Sequence, residues 1–208
     1  MIAIHLNEKI ALNLLSQLNK GQNDLFFMFL KHPFLYNEYM NKTLIFIRHF
    51  HAANALPDQK DMERPLSKQG IATCLDSTNA IARFIHDPND ARILVSPATR
   101  TQMTAEIIAN ATKIKQVVIE PAIYQGPIED VIHAIDQAFF KANTVMVVGH
   151  FPDIISYVEY YTDAVLPFGI GACALVDYNS TKPTQSQLEL YANPMNLNQI
   201  KKGTYENI

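Results

Sequence analysis

Five side chains of this sequence could between them hold and attack a phosphoryl group. Arg48 and His49 end one apolar run, His150 ends another, Arg100 lies four residues past Ser96, and Arg64 sits in the segment ERPLSKQG. Phosphoryl transfer without a metal needs a nucleophile, fixed cations for the equatorial oxygens and, for some leaving groups, an acid. Guanidiniums offer forked donors that match phosphate oxygens, and such charge-assisted bonds are about twice as strong as neutral ones. Clustered cations also lower the pKa of an imidazole from its usual value of about 6.5, which keeps the ring neutral near pH 7. Arginine would supply charge and histidine the lone pair.

These residues need a scaffold that brings distant positions together. The runs TLIFIR at 43–48, ARILVS at 91–96 and TVMVVG at 144–149 are continuously apolar over strand length, the pattern of strands buried on both faces in the middle of a sheet. Each stops on or next to a polar side chain. Ligands of open α/β sheets bind beyond the carboxyl ends of the strands, which is where Arg48, His49, Ser96 and His150 fall. Ser67 is a predicted N-cap for a helix that keeps Ile71, Leu75, Thr78, Ile81, Ala82 and Ile85 on one face until Asp87 and Pro88 stop it. Pro97 is predicted at the first position of the next helix. Further helices are predicted at about 128–140 and 152–161, and further strands at ACALVDY and QLELYA. The expected fold class is α/β: a three-layer α/β/α sandwich whose mostly parallel central sheet is flanked by helices.

Composition narrows the partners. The 208 residues are 48% apolar and 18% charged, and 17 basic against 20 acidic side chains leave a net charge of −3. There is no basic surplus for gripping nucleic acid or an anionic bilayer, so a bound anion must sit in a local pocket. Two cysteines, Cys74 and Cys173, are too few for a disulfide framework and are expected as buried thiols in a reducing, cytoplasmic setting. The start MIAIHLNEKIALNLLSQLNK lacks the pattern of a secretory signal, and the most apolar stretch, LFFMFL, is far shorter than the ~20 residues of a membrane span. Leu6, Ile10, Leu14 and Leu18 recur at helical spacing. Residues 1–42 are therefore expected as an N-terminal helical extension, packed on its own domain or offering a partner or dimer contact, ahead of a catalytic domain at 43–208.

Four motifs carry a family resemblance: RHF at 48–50, RPLSKQG at 64–70, SPATRTQMTAE at 96–106 and VVGHFP at 147–152. Together they resemble the histidine phosphatase superfamily, the phosphoglycerate mutase-like proteins, and within it the SixA-type phosphohistidine phosphatases, over about three quarters of the chain. The resemblance implies a phosphatase that forms a covalent phosphohistidine on His49. Arg48, Arg64 and Arg100 would clamp the phosphoryl oxygens, and His150 would complete the pocket. It implies a phosphorylated protein bearing phosphohistidine as substrate, with no cofactor. A small phosphomonoester, or a phosphate-binding or interaction module that keeps the fold without turnover, are the alternatives. Ser96 and Thr104 match the family pattern and are expected to be structural.

The sequence also departs from the family. Phe50 replaces a small residue and is expected to narrow the pocket or alter the turn. Asn54 is one position short of the asparagine often found after this motif. No flanking motif supports either Glu129 or Asp130 as the general acid. A phosphoramidate has less need of one, because its leaving imidazole is far less basic than an alkoxide and acid catalysis is worth typically about 10²–10⁴-fold. His49 and His51 on one strand face could suggest a metal, but clustered arginines disfavour a cation and no carboxylate follows at ligand spacing. His51 is expected at the pocket rim.

Overall fold

The computed structural model describes residues 42–197, so the expected helix and aromatic segment before residue 42 lie outside the described residues. The first apolar run forms β1 (Lys42–Arg48), the second β2 (Ala91–Val95) and the third β4 (Thr144–Gly149). With β3 (Gln116–Ile119), β5 (Cys173–Tyr178) and β6 (Gln187–Ala192) they build a six-stranded sheet in the order β3-β2-β4-β1-β5-β6. β1, β2, β3 and β4 run parallel, whereas β5 and β6 add an antiparallel edge. The continuous hydrophobicity of the three central runs follows from this order, because β2, β4 and β1 are neighbours with helices over both faces.

Side chains alternate between two cores. Ile45, Ile47, Ile93, Val95, Met146 and Val148 pack on one face of the sheet, under α1 (Lys68–Ile81) and α2 (Thr99–Thr112). Leu44, Phe46, Leu94, Val145 and Val147 pack on the other, under α3 (Ile128–Phe139) and α4 (Asp153–Thr162). A short α5 (Pro194–Leu197) closes the described chain and buries Leu197. The result is the expected three-layer α/β/α sandwich with a mostly parallel sheet.

Local details refine the sequence reading. Ser67 caps α1 as expected, its Oγ accepting from Gly70 N at 3.0 Å, and a Cβ on Gly70 would collide with the carbonyl of His51. Leu75 does not join the apolar face. It is 53% exposed, and the buried residues of that helix are Gly70, Cys74, Ser77, Thr78, Ala80 and Ile81. Pro97 is not the first helical residue either. Ala98 is still extended and α2 begins at Thr99, because Ser96, Pro97 and Ala98 form a separate turn in which Ser96 Oγ lies 3.4 Å from Ala98 N. The edge strand β3 was not expected: it is exposed along its four residues and so lacks the buried run that marks its neighbours. Cys74 and Cys173 are free and buried, and burial pushes both thiols up to about 12.

Candidate active site

The in-register pairing of β1 with β4 sets the centre of the site. Arg48 pairs with Gly149, so the next residue of each strand, His49 and His150, leaves the sheet at the same level. His49 N still donates to Gly149 O at 3.1 Å, and the two imidazoles lie 5.2 Å apart, centroid to centroid. The turn after β2 brings Ser96 and then Arg100, the second residue of α2, to the same place. Four of the five residues singled out by sequence, Arg48, His49, Arg100 and His150, thus meet at the carboxyl ends of β1, β2 and β4.

Hydrogen bonds fix the imidazole tautomers. His49 Nδ1 lies 2.7 Å from Phe50 O, and a carbonyl can only accept, so the proton sits on Nδ1 and the lone pair on Nε2. Arg100 Nε donates toward that Nε2 at 3.3 Å. At His150, Arg100 Nη2 faces Nδ1 at 3.4 Å, and Ser96 Oγ lies 2.7 Å from Nε2. Guanidinium can only donate, which assigns the His150 proton to Nε2 and makes Ser96 its acceptor. Burial, followed among the lowering causes by the charges of Arg100, Arg48 and Arg64, pulls His49 down to about 4 against the opposing bond to Phe50. Burial and then the neighbouring His49 and Arg100 pull His150 down to about 3. Both rings are neutral at pH 7.

The other cations differ in how they reach the pocket. Arg48 donates from Nη1 to Phe168 O at 2.7 Å, stacks 5.0 Å from the Phe151 ring centroid and keeps a buried Nε without a partner among the described residues. Arg64 turns its Nε to Ala53 O at 3.0 Å and its Nη1 to Asp61 Oδ1 at 2.8 Å, so its link to the histidines runs through Asp61. Glu129 and Asp130 are exposed in the first turn of α3, and Asp130 lines a separate groove with Arg92, Glu120 and His133. His51 is exposed and bonds Ser67 Oγ at 2.8 Å. Among the described residues no group of three His, Cys, Asp or Glu side chains could hold a metal ion.

Three residues were missed or misread from sequence. Asp61, in a single 3-10 turn (Asp61–Glu63), bridges Arg64 and Arg100, and the spacing of Asp61 three residues before Arg64 is the signal that could have shown it. Tyr124 reaches Asp61 Oδ2 with its hydroxyl at 3.3 Å and presents its ring edge-on to His150. Phe50, expected to narrow the pocket or alter the turn, does not reach into the site: it lies 1% exposed in the core beneath α1 and α2, where Gly171 leaves room for the ring. Ser96 orients His150 as well as shaping a turn, whereas Thr104 is structural: it is buried, bonding Phe50 N and Arg100 O.

By sequence, no family model and no curated protein matches the chain. By structure, it superposes on the protein histidine phosphatase SixA in complex with tungstate at a TM-score of 0.65 and 20% identity, over 74% of this chain and 99% of that one. The chain has the fold of the phosphoglycerate mutase-like histidine phosphatases. A protein assigned to the SixA phosphohistidine phosphatases from Agrobacterium tumefaciens matches at a TM-score of 0.63 and 25% identity, over 74% of this chain and 99% of its own. One from Nakamurella multipartitia matches at 0.63 and 24%, over 76% and 98%. The aligned part is thus almost the whole of each SixA-type neighbour. No helix among the described residues is long and apolar enough to cross a membrane.

Proposed function

We propose that this chain hydrolyses protein phosphohistidine through a covalent phosphohistidine on His49. The observation that carries the reading is the pair of neutral imidazoles facing one guanidinium: His49 Nε2 holds a lone pair, pinned in place by the bond from Nδ1 to Phe50 O. In the first step Nε2 attacks phosphorus in line, forming a P–N bond as the bond to the leaving imidazole breaks, and that imidazole takes a proton from water, leaving hydroxide. In the second step that hydroxide, or a water that passes its proton to it, attacks the phosphoenzyme, releasing hydrogen phosphate and restoring the His49 lone pair. Arg48 and Arg100 donate to the equatorial oxygens, and the buried, unpartnered Nε of Arg48 would gain an acceptor there. Arg64 adds charge at the rim. His150 gains a proton on Nδ1 as the phosphoryl dianion raises its pKa, and then donates to the group.

The nature of the carboxylate at the site supports a phosphoramidate over a phosphomonoester. Asp61 accepts from Arg64 and Arg100, which hold its carboxyl below the usual carboxylate range, so it is ionised and has no proton to give. A leaving group that needs no strong acid fits such a site. The solved SixA-type neighbours are consistent with that substrate. The core position of Phe50 removes the steric argument for a module without turnover.

The test is incubation with a phosphohistidine-bearing protein labelled on phosphorus. An acid-labile adduct that forms on the wild type and is lost in His49→Ala is expected, together with faster release from phosphohistidine than from phosphoserine. No adduct and no turnover on either would sink the reading.

A further inference from the structure

Arg100 presents two forks, and they face different partners. The end-on fork is held by one residue: Nη1 donates to the main-chain oxygen of Asp61 at 2.6 Å and Nη2 to its Oδ2 at 2.8 Å. The side-on fork, Nε together with the second hydrogen of Nη2, faces His49 Nε2 at 3.3 Å and His150 Nδ1 at 3.4 Å. An oxyanion attacked by His49 must approach that second fork. We propose that Asp61 is a positioning residue that grips the end-on fork of Arg100 and so aims its side-on fork at the transferring group. This rests on the phosphatase reading above.

Three features support it. Asp61 uses its other oxygen, Oδ1, for Arg64, so one short turn sets two guanidiniums at once. Tyr124, whose ring packs edge-on against His150, reaches Oδ2 from the pocket side and ties the carboxylate to the second histidine. The burial of the partners is also unequal: the Arg100 side chain is 8% exposed and that of Asp61 53%. A carboxylate this exposed adds little to folding stability. What it does contribute is orientation, because guanidinium is planar and a grip on one edge fixes the direction of the other. The role is separate from acid catalysis, since the carboxylate bonded to two arginines is ionised.

The experiment compares Asp61→Ala, Asp61→Asn, Arg100→Ala and the Asp61→Ala/Arg100→Ala pair in the full chain, with a phosphohistidine peptide as substrate and orthovanadate as the bound anion. Asp61→Ala is expected to lower kcat by about 10–100-fold, as misplacement of a catalytic group does. KM and orthovanadate affinity should stay level or improve, because a negative charge has left the pocket, and the melting temperature should hold. Asp61→Asn, which keeps one acceptor, should fall between. In the Arg100→Ala background, removing Asp61 should cost only the small part that runs through Arg64, far less than it costs in the wild type. Unchanged kcat in both Asp61 variants would overturn the proposal, as would a loss that multiplies with that of Arg100→Ala, the mark of an independent proton donor. A wild type that binds orthovanadate and is phosphorylated on His49, with Asp61 variants equal to it, overturns this inference alone. A wild type that does neither overturns the phosphatase reading and this inference with it.

Discussion

The ring of Phe50 lies against the α-carbon of Gly171: a Cβ there would stand 2.7 Å from two ring carbons and 2.8 Å from Pro194 Cγ. Gly171 also sits at φ +70°, and its N–H donates to His49 O at 3.2 Å. The bulky residue beside the histidine is therefore accommodated in the core by a residue 121 positions later. Gly171→Ala is expected to destabilise by about 1–3 kcal/mol from overpacking alone, with left-handed strain added. Urea unfolding of Gly171→Ala, Phe50→Ala and the double variant checks it. A double variant less unstable than the sum of the two singles is expected, because the clash needs both partners.

Acid should silence the site late. His49 must be neutral to attack, and burial and then the arginines hold its pKa down to about 4. The kcat/KM profile should stay level from neutrality to about pH 5 and fall as His49 takes a proton near 4, whereas an ordinary histidine would place that limb at about 6.5. Stability follows the same sign. Unfolded His49 and His150 take up protons near 6.5, while the folded rings refuse them until about 4 and about 3. The folded state is therefore favoured fully above 6.5 and loses ground as pH falls toward 3. Urea midpoints measured across that range should slope less in His49→Gln. A limb at 6.5 would contradict the assigned environment.

Arg100 acts through geometry as much as charge. Arg100→Ala is expected to lower turnover by about two orders of magnitude or more, the scale of losing a transition-state donor. Arg100→Lys should recover little of that, because an ammonium cannot contact His49, His150 and Asp61 together. Steady-state kinetics decide, and a lysine variant near wild type would remove the fork from the argument.

Glu129→Gln and Asp130→Asn should each keep turnover within about twofold of wild type, since both carboxylates are exposed, neither is among the charges that act on the histidine pair, and exposed surface changes are usually mild. A large loss in either would restore an acid to the first turn of α3.

The central strands were legible because burial on both faces leaves a continuous apolar run, and β1, β2 and β4 begin and end within a residue of their expected limits. β3 escaped because an exposed edge strand of four residues carries no such run. The site was legible where a motif ends a strand, as at Arg48, His49 and His150. Asp61 was not, because it lies in an exposed turn that no apolar period frames, and its partner Arg100 is 39 residues away. Phe50 was misjudged for a related reason: the residue that makes room for it, Gly171, lies on the far side of the sheet sequence.

The bond from His49 N to Gly149 O has a further meaning. The backbone of the candidate nucleophile continues the parallel ladder of β1 and β4, strands whose neighbours cover them on both sides. Loops can open and reclose with such a ladder intact, and amides at the centre of a sheet exchange with solvent chiefly through global opening. The spacing of the two backbone positions that carry the imidazoles is therefore as durable as the domain itself, and warming should disturb the exposed turn that holds Asp61 before it disturbs this pair.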